Sequence, residues 1–295
     1  LPGKSTVEGK IDMDNISLAR LEEMEITDQV TGIFEGEVDF SGTVEQPVMQ
    51  GSFKFNETKI NDYRILQFDG NLNYSENMLA ADLNVVAQDS GKLEAEVGIP
   101  FRFNPDSLKF GFSPKDSVFG QVTMDKMTLE SVQAIYPNAT ISGMIEGGLN
   151  LSGTVESPNP EGNIRLQKAI FRLPEYGIDY REIQLNLDFQ RDKAVVNNLL
   201  VKSPGGNMTG TGQVNFASDF YKGDVSQPEI TLKFNKFQPF NHRQFNMQVN
   251  GNASLGGKKG EVVYSGDLTI PRSEIFIPTI LRMLGRIYVP ELPKP

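Results

Sequence analysis

The chain carries one histidine, His242 in "FNHRQF", and no cysteine among its 295 residues. General-base work would need that imidazole beside a carboxylate or a nucleophile. No such partner recurs near it, so His242 reads as a turn residue. With no thiolate and one imidazole, a zinc site would have to be built from carboxylates, a poor tetrahedral set. "DMDN" at 12–15 opens as a calcium loop does, but Ser17 stands where the sixth-position glycine belongs and no glutamate closes the loop. The glycines of "GTGQVNF" and "EGGLNLSG" do not open a helix after a strand, as a phosphate cradle must. Asn-x-Ser/Thr triplets at Asn56, Asn138, Asn207 and Asn252 mean little in a chain this rich in those residues. The residues therefore predict no enzyme, no metal and no cofactor.

What the sequence offers instead is apolar side chains at a period of two, the signature of half-buried strands. "EVDFSGTV" places Val38, Phe40 and Val44 on one face, "SFKF" Phe53 and Phe55, and "LQFDGNLNY" Leu66, Phe68, Leu72 and Tyr74. The same alternation gives Leu149 and Leu151, Ile164 and Leu166, then Ile183, Leu185 and Leu187, and finally Leu268 and Ile270. Gly, Pro, Asn and Asp gather between these runs, in "SPGGN", "ESPNPEG" and "GGKKG", as hairpin turns require. About twenty short strands of roughly five to nine residues are expected, stacked as a quasi-linear array. Short helices are expected at 18–26 and 129–137, and a longer one at 278–287 with Pro278 near its start and Gly285 at its stop.

The array is repetitive. "SGTVEQPVMQG" from Ser41 returns as "SGTVESPNPEG" from Ser152, 111 residues later, and the same offset links Gly32 to Gly143 and Pro47 to Pro158. Beyond "FRLPEYGIDY" the offset grows to 115, pairing Asn71 with Asn186 and Gly91 with Gly206, so that turn-rich stretch holds four extra residues. A looser third copy follows at an offset of 104, where "GDLTIPRSEIFIP" from Gly266 matches "GNIRLQKAIFRLP" from Gly162. One unit of about 110 residues is repeated, with units expected near 9–119, 120–229 and a partial 230–295.

Composition agrees with a thin structure. Without glycine 38% of residues are hydrophobic and Trp is absent, which with glycine included stands at the low edge of the ~45–50% apolar share of a typical globular chain. Net charge is −10 with no basic stripe, which speaks against nucleic acid as partner. "LPGKSTVEGK" shows no secretory signal pattern, and the chain reads as a segment of a longer protein or a mature form. The apolar stripe has two readings: the core of a sandwich or closed solenoid, or the lining of a groove left open to something apolar.

The stretch 151–216, "LSGTVESPNPEGNIRLQKAIFRLPEYGIDYREIQLNLDFQRDKAVVNNLLVKSPGGNMTGTGQVNF", resembles the C-terminal repeat region of the TamB family (translocation and assembly module), within the AsmA-like group of inter-membrane bridge proteins. The shared pattern is a "sGT...P...G" strand pair, an "lp..gi.y..i...l.f" segment and a strand ending "s.GG...g.G". The resemblance implies an all-β β-taco, a long U-shaped sheet with an apolar inner groove. It also implies a periplasmic setting in a diderm bacterium, with the full-length protein anchored in the inner membrane. The partners implied are phospholipid and an outer-membrane barrel protein of the Omp85/TamA type, and the attributed roles are phospholipid movement and outer-membrane protein assembly. The segment alone, ending at "VPELPKP", would not bridge two membranes. The residues expected to line the groove are Val38, Phe40, Phe53, Phe55, Phe68, Leu72, Leu149, Leu151, Ile164, Leu166, Leu185, Leu187, Leu268, Ile270, Ile275 and Ile277. The rival expectation is a scaffold whose free strand edges pair with unfolded barrel strands. A glycan-binding surface would want aromatic platforms that a chain without Trp does not supply.

Overall fold

The computed structural model describes residues 6–19, 30–43, 45–104, 109–130, 132, 136, 138–216, 225–242, 245–258 and 261–275. Alternation becomes strand throughout. The first six are β1 (Gly9–Ser17), β2 (Val30–Gly42), β3 (Pro47–Ile60), β4 (Tyr63–Ser75), β5 (Met78–Ala87) and β6 (Lys92–Pro100). A small separate hairpin follows, β7 (Arg102–Asn104) with β8 (Lys109–Gly111). Then come β9 (Phe119–Thr128), β10 (Thr140–Gly153), β11 (Pro158–Leu173), β12 (Ile178–Gln190), β13 (Lys193–Lys202) and β14 (Asn207–Phe216). The last three are β15 (Val225–His242), β16 (Phe245–Lys258) and β17 (Glu261–Ile275).

Fifteen of these strands form one antiparallel sheet in chain order, with β9 beside β6 and with β1 and β17 at its two open ends. At ~4.8 Å between neighbours the sheet is about 70 Å long. The fold class is all-β, as expected, but the strands are fewer and longer than the expected twenty of five to nine residues. Those of the main sheet run from 9 residues in β1 to 18 in β15. The reason lies in β-bulges, which let a strand continue through a break in its alternation. Of the expected short helices, the one at 129–137 shows in part: Glu130 and Val132 are helical and Tyr136 N–H donates to Val132 O. A 3-10 turn, Pro174–Tyr176, is a further helical element. Of the three segments read as helices, 278–287 lies outside the described residues, and 18–26 and 129–137 lie largely outside them.

The twice-used "SGTVE" is a turn. Gly42 and Gly153 both take left-handed backbone, φ 94° and 98°. In each copy the threonine N–H donates to the carbonyl three residues on, and the N–H of that residue donates back to the threonine Oγ1. The same turn then receives the segment ahead of its unit: Val7 N–H donates to Gly42 O and Val118 N–H to Gly153 O.

Bulges line the other end of the strands. Asn15 and Lys126 have φ 54° and 50°, Glu57 and Lys168 51° and 49°, each pair 111 residues apart. Register breaks occur there in β1, β2, β10, β11, β12, β13, β15 and β16. A bulge bends its strand and sharpens the local twist, so a row of them creases the sheet lengthwise. Burial follows the crease. Tyr63, Ile65, Ala87, Ala139, Ala169, Val201, Phe237 and Val249, which make up most of the buried apolar residues, all sit beside it. Among the described residues no large side chain is wholly enclosed, and the accessible surface is 19,253 Å², against about 12,000 Å² for a compact monomer of this mass.

Candidate functional site

The register places the apolar side chains of neighbouring strands opposite one another in continuous rows. One row runs Phe68, Val85, Leu93, Met124, Gly147, Ile164, Leu187, Val196, Gly212, Ile230 and Leu255, from β4 to β16. A second runs Val38, Gly51, Leu72, Ala81, Val97, Gly120 and Leu151. A third joins Leu166, Leu185, Leu199, Gly210, Leu232 and Ala253. Phe40 faces Met49, Phe55 faces Phe34, Phe53 lies between Gly36 and Gly70, and Leu149 lies between Val122 and Gly162. The opposite face carries polar rows such as Glu37, Ser52, Asn71, Asp82, Glu96, Gln121, Asn150 and Glu161.

Thirteen of the sixteen residues expected to line a groove share one face, twelve in these rows and pairs and Leu268 opposite Gly251, while Ile270 falls at the register shift of β17. Twelve of them, Val38 through Leu187, are half-buried. They are neither closed off as in a sandwich core nor as free as isolated surface residues. Leu268 and Ile270 on β17 are exposed instead, at 55% and 53%, because among the described residues β17 has a neighbour on one side only. Ile275 ends β17 without a described side chain, and Ile277 lies outside the described residues. Leu66 does not join the face. The register shift between Ile65 and Gln67 turns Ile65 inward and leaves Leu66 56% exposed. The stretch "IRLQKAIFRL" shifts register as well, with Lys168 at φ 49° and breaks on both sides of Ala169.

The sheet curls toward the apolar face. On β12, Tyr180 lies on that face while Asp179 on the other binds Arg172 and Arg181. Arg181, then Arg172, holds the Asp179 carboxyl below the usual carboxylate range in spite of its partial burial. The Tyr180 ring meets Phe237 of β15, three strands away, with centroids 5.4 Å apart. A flat sheet would separate them by about 14 Å. The Tyr180 hydroxyl donates to Pro239 O at 3.1 Å, Asn241 N–H to Gly177 O at 2.7 Å, and Gln238 N–H to Ser203 Oγ at 2.8 Å. Ser203 reaches β15 from the β13–β14 turn, while the four extra residues of this copy fall at the turn that brings Tyr180 and Gly177 to it. Gly177 takes left-handed backbone there (φ 65°), with His242 packed against it.

The corresponding place in the first copy is closed by different chemistry. Tyr63 at the start of β4 donates to Asp89 in the β5–β6 turn at 3.1 Å, and Asp89 also accepts from Thr128 at the end of β9 and from Gly91 N–H. Burial pushes the Asp89 carboxyl up, but hydrogen bonds from Thr128, Gly91 and Tyr63 outweigh it and hold the group below the usual carboxylate range. Burial raises the Tyr63 phenol above its ordinary value.

Sequence reasoning missed Phe34 and these closure residues. Phe34 simply continues the alternation of β2 past Gly36, and its ring joins Phe53, Phe55 and Phe68, with centroids from 4.6 to 6.3 Å apart. Tyr63, Tyr180 and Phe237 lie past bulges, where period-two counting fails. Shallow clefts of about 630, 410 and 240 Å³ are lined largely from the polar face, by residues such as Thr231, Glu35 and Glu94. Among the described residues no group of three or more His, Asp and Glu could hold a metal ion, and no helix is long and apolar enough to cross a membrane.

Compared with known proteins, residues 197–288 match the family model of the TamB C-terminal domain. No curated protein and no solved structure matches the chain.

Proposed function

We propose that this chain, whose residues 197–288 match the family model of the TamB C-terminal domain, serves in envelope transport and assembly and conducts phospholipid acyl chains along its apolar face. The observation that carries the reading is the set of continuous apolar rows, half-buried and on the concave side of an unclosed sheet. An acyl chain of about fourteen carbons drawn into water costs roughly 11 kcal/mol, at ~0.8 kcal/mol per methylene. A trough that is apolar along its length removes most of that barrier, while the headgroup stays in water at the open mouth. Nothing in the step breaks a bond, and it calls for no cofactor. The setting that fits is the periplasm, with this segment one stretch of a longer, membrane-anchored protein of repeated β units and an outer-membrane barrel of the Omp85/TamA type as its partner.

Detergent-free purification followed by native mass spectrometry tests the reading. Phospholipid retained by the wild type and lost in Phe55→Asp or Leu166→Asp, both still folded, supports an open groove. A lipid-free wild type, or Asp variants that unfold outright, would mean a closed core. A second reading, scaffolding of barrel strands, is favoured by one observation: β17 lies at an open end of the sheet with Val263, Tyr264, Leu268 and Ile270 all more than half exposed. Backbone N–H groups alternate in direction along a strand, so of Tyr264→Pro and Ser265→Pro one strips a donor from the free edge. Loss of barrel-strand capture by that variant, with lipid retention intact, would favour the scaffold.

A further inference from the structure

Glycine inside a strand weakens it and signals close approach by another group. Two glycines on the apolar face, Gly36 and Gly210, show no left-handed backbone, so chain conformation does not require them. Each has a large side chain lying where its own would be. A methyl group on Gly36 would stand 2.9 Å from Phe34 Cζ, and one on Gly210 would stand 2.7 Å from Leu232 Cδ2. Gly70 is covered in the same way, 2.7 Å from Phe53 Cζ, although Asp82 O at 2.2 Å would also exclude a side chain there. The large residues thus lie flat along the trough floor instead of standing up from it.

We infer that Gly36 and Gly210 are bore-setting residues: they provide the beds into which Phe34 and Leu232 fold, and so keep the trough deep enough for an acyl chain. The inference rests on the reading of the trough as an acyl-chain site. An added methyl meets only the ends of flexible side chains at Gly36, and chiefly such ends at Gly210. The neighbour therefore yields by swinging upward, and the sheet stays intact. The side chain lifted is neutral and apolar, so any loss of binding would come from lost space.

The test measures binding of cis-parinaric acid, a rod-like polyene fatty acid that fluoresces when taken out of water, to the whole chain. Gly36→Ala and Gly210→Ala should each bind it about tenfold more weakly, as if roughly two methylenes were returned to water. Gly256→Ala is the control, on the polar face with its nearest obstacle at 3.9 Å, and should bind as the wild type does. The double variant Gly36→Ala with Phe34→Ala should recover most of the lost affinity, a rescue that general damage to the strand would not allow. If the wild type binds the probe and the inner variants bind it equally well, or if the double variant shows no rescue, the bore assignment is overturned and the trough reading stands. If the wild type binds none, both fall.

Discussion

The two closures of the crease occupy matching places and are made of different things. The first joins β4 to β9 through the carboxylate of Asp89, held by Tyr63, Thr128 and Gly91. The second joins β12 to β15 through an aromatic stack and three hydrogen bonds to uncharged oxygens. In the first, the β5–β6 turn itself reaches across, and one side chain satisfies three donors. In the second, the four-residue insertion brings Tyr180 and Gly177 within reach of β15 directly. A repeat can therefore hold one curvature with interchangeable fastenings, because curvature comes from the bulge row and the fastening only secures it. Each fastening is local, as contacts are in a quasi-linear array, so each can be broken by itself.

The largest expected effect is at the second closure. Phe237 is 4% exposed, and Phe237→Ala should cost about 3–4 kcal/mol through lost burial and the cavity left behind. Hydrogen exchange should rise across β12–β16 while β2–β5 keeps its protection. Uniform loss of protection would show that the sheet unfolds as one unit and that the closures are not independent.

Next comes Asp89→Ala. It strips the acceptor from Tyr63, Thr128 and Gly91 and should cost about 1–2 kcal/mol, less than Phe237→Ala because the turn is partly solvated and water can replace some of the lost bonds. Exchange should rise at β4, β5 and β9 and leave β12–β16 unchanged. Tyr180→Phe is smaller again. It keeps the stack with Phe237 and removes only the bond to Pro239 O, at about 1 kcal/mol. If Tyr180→Phe proved as costly as Phe237→Ala, the hydrogen bond, not the stack, would be the fastening.

The contrast also marks where sequence stops being informative. The apolar face was legible because alternation is a local property: Val38, Phe40, Phe53, Leu149 and Leu187 fall where period two puts them. The turns were legible because Gly42 and Gly153 serve a left-handed position. The bulges were not, because they sit at Glu57, Lys126 and Lys168, residue types that do not announce positive φ. Everything past them shifts by one, which is why period-two counting takes Leu66 as inward where the structure turns Ile65 inward. The Tyr180–Phe237 stack was hidden for another reason: its partners are three strands apart, and no periodicity within a strand encodes that distance.

The finest separation of the two closures is by pH. Asp89 has its carboxyl held below the ordinary value in the folded chain, so its contribution is complete above the usual carboxylate range and disappears as pH falls through the lowered folded value. Tyr180 behaves oppositely. Burial raises its phenol, so its contribution is complete below the ordinary tyrosine range, near 10, and is lost as pH rises through the raised folded value. Acidification below the carboxylate range should therefore free the amides of β4, β5 and β9 first, whereas alkali should free those of β12 and β15 together with those around Tyr63, whose phenol burial also raises. Asp89→Asn should remove most of the acid-dependent step in the first region, because an amide cannot gain the proton that weakens the acceptor. Survival of that step in the variant would assign it to other carboxylates on the polar face, and the first closure would then be held by Tyr63 burial alone.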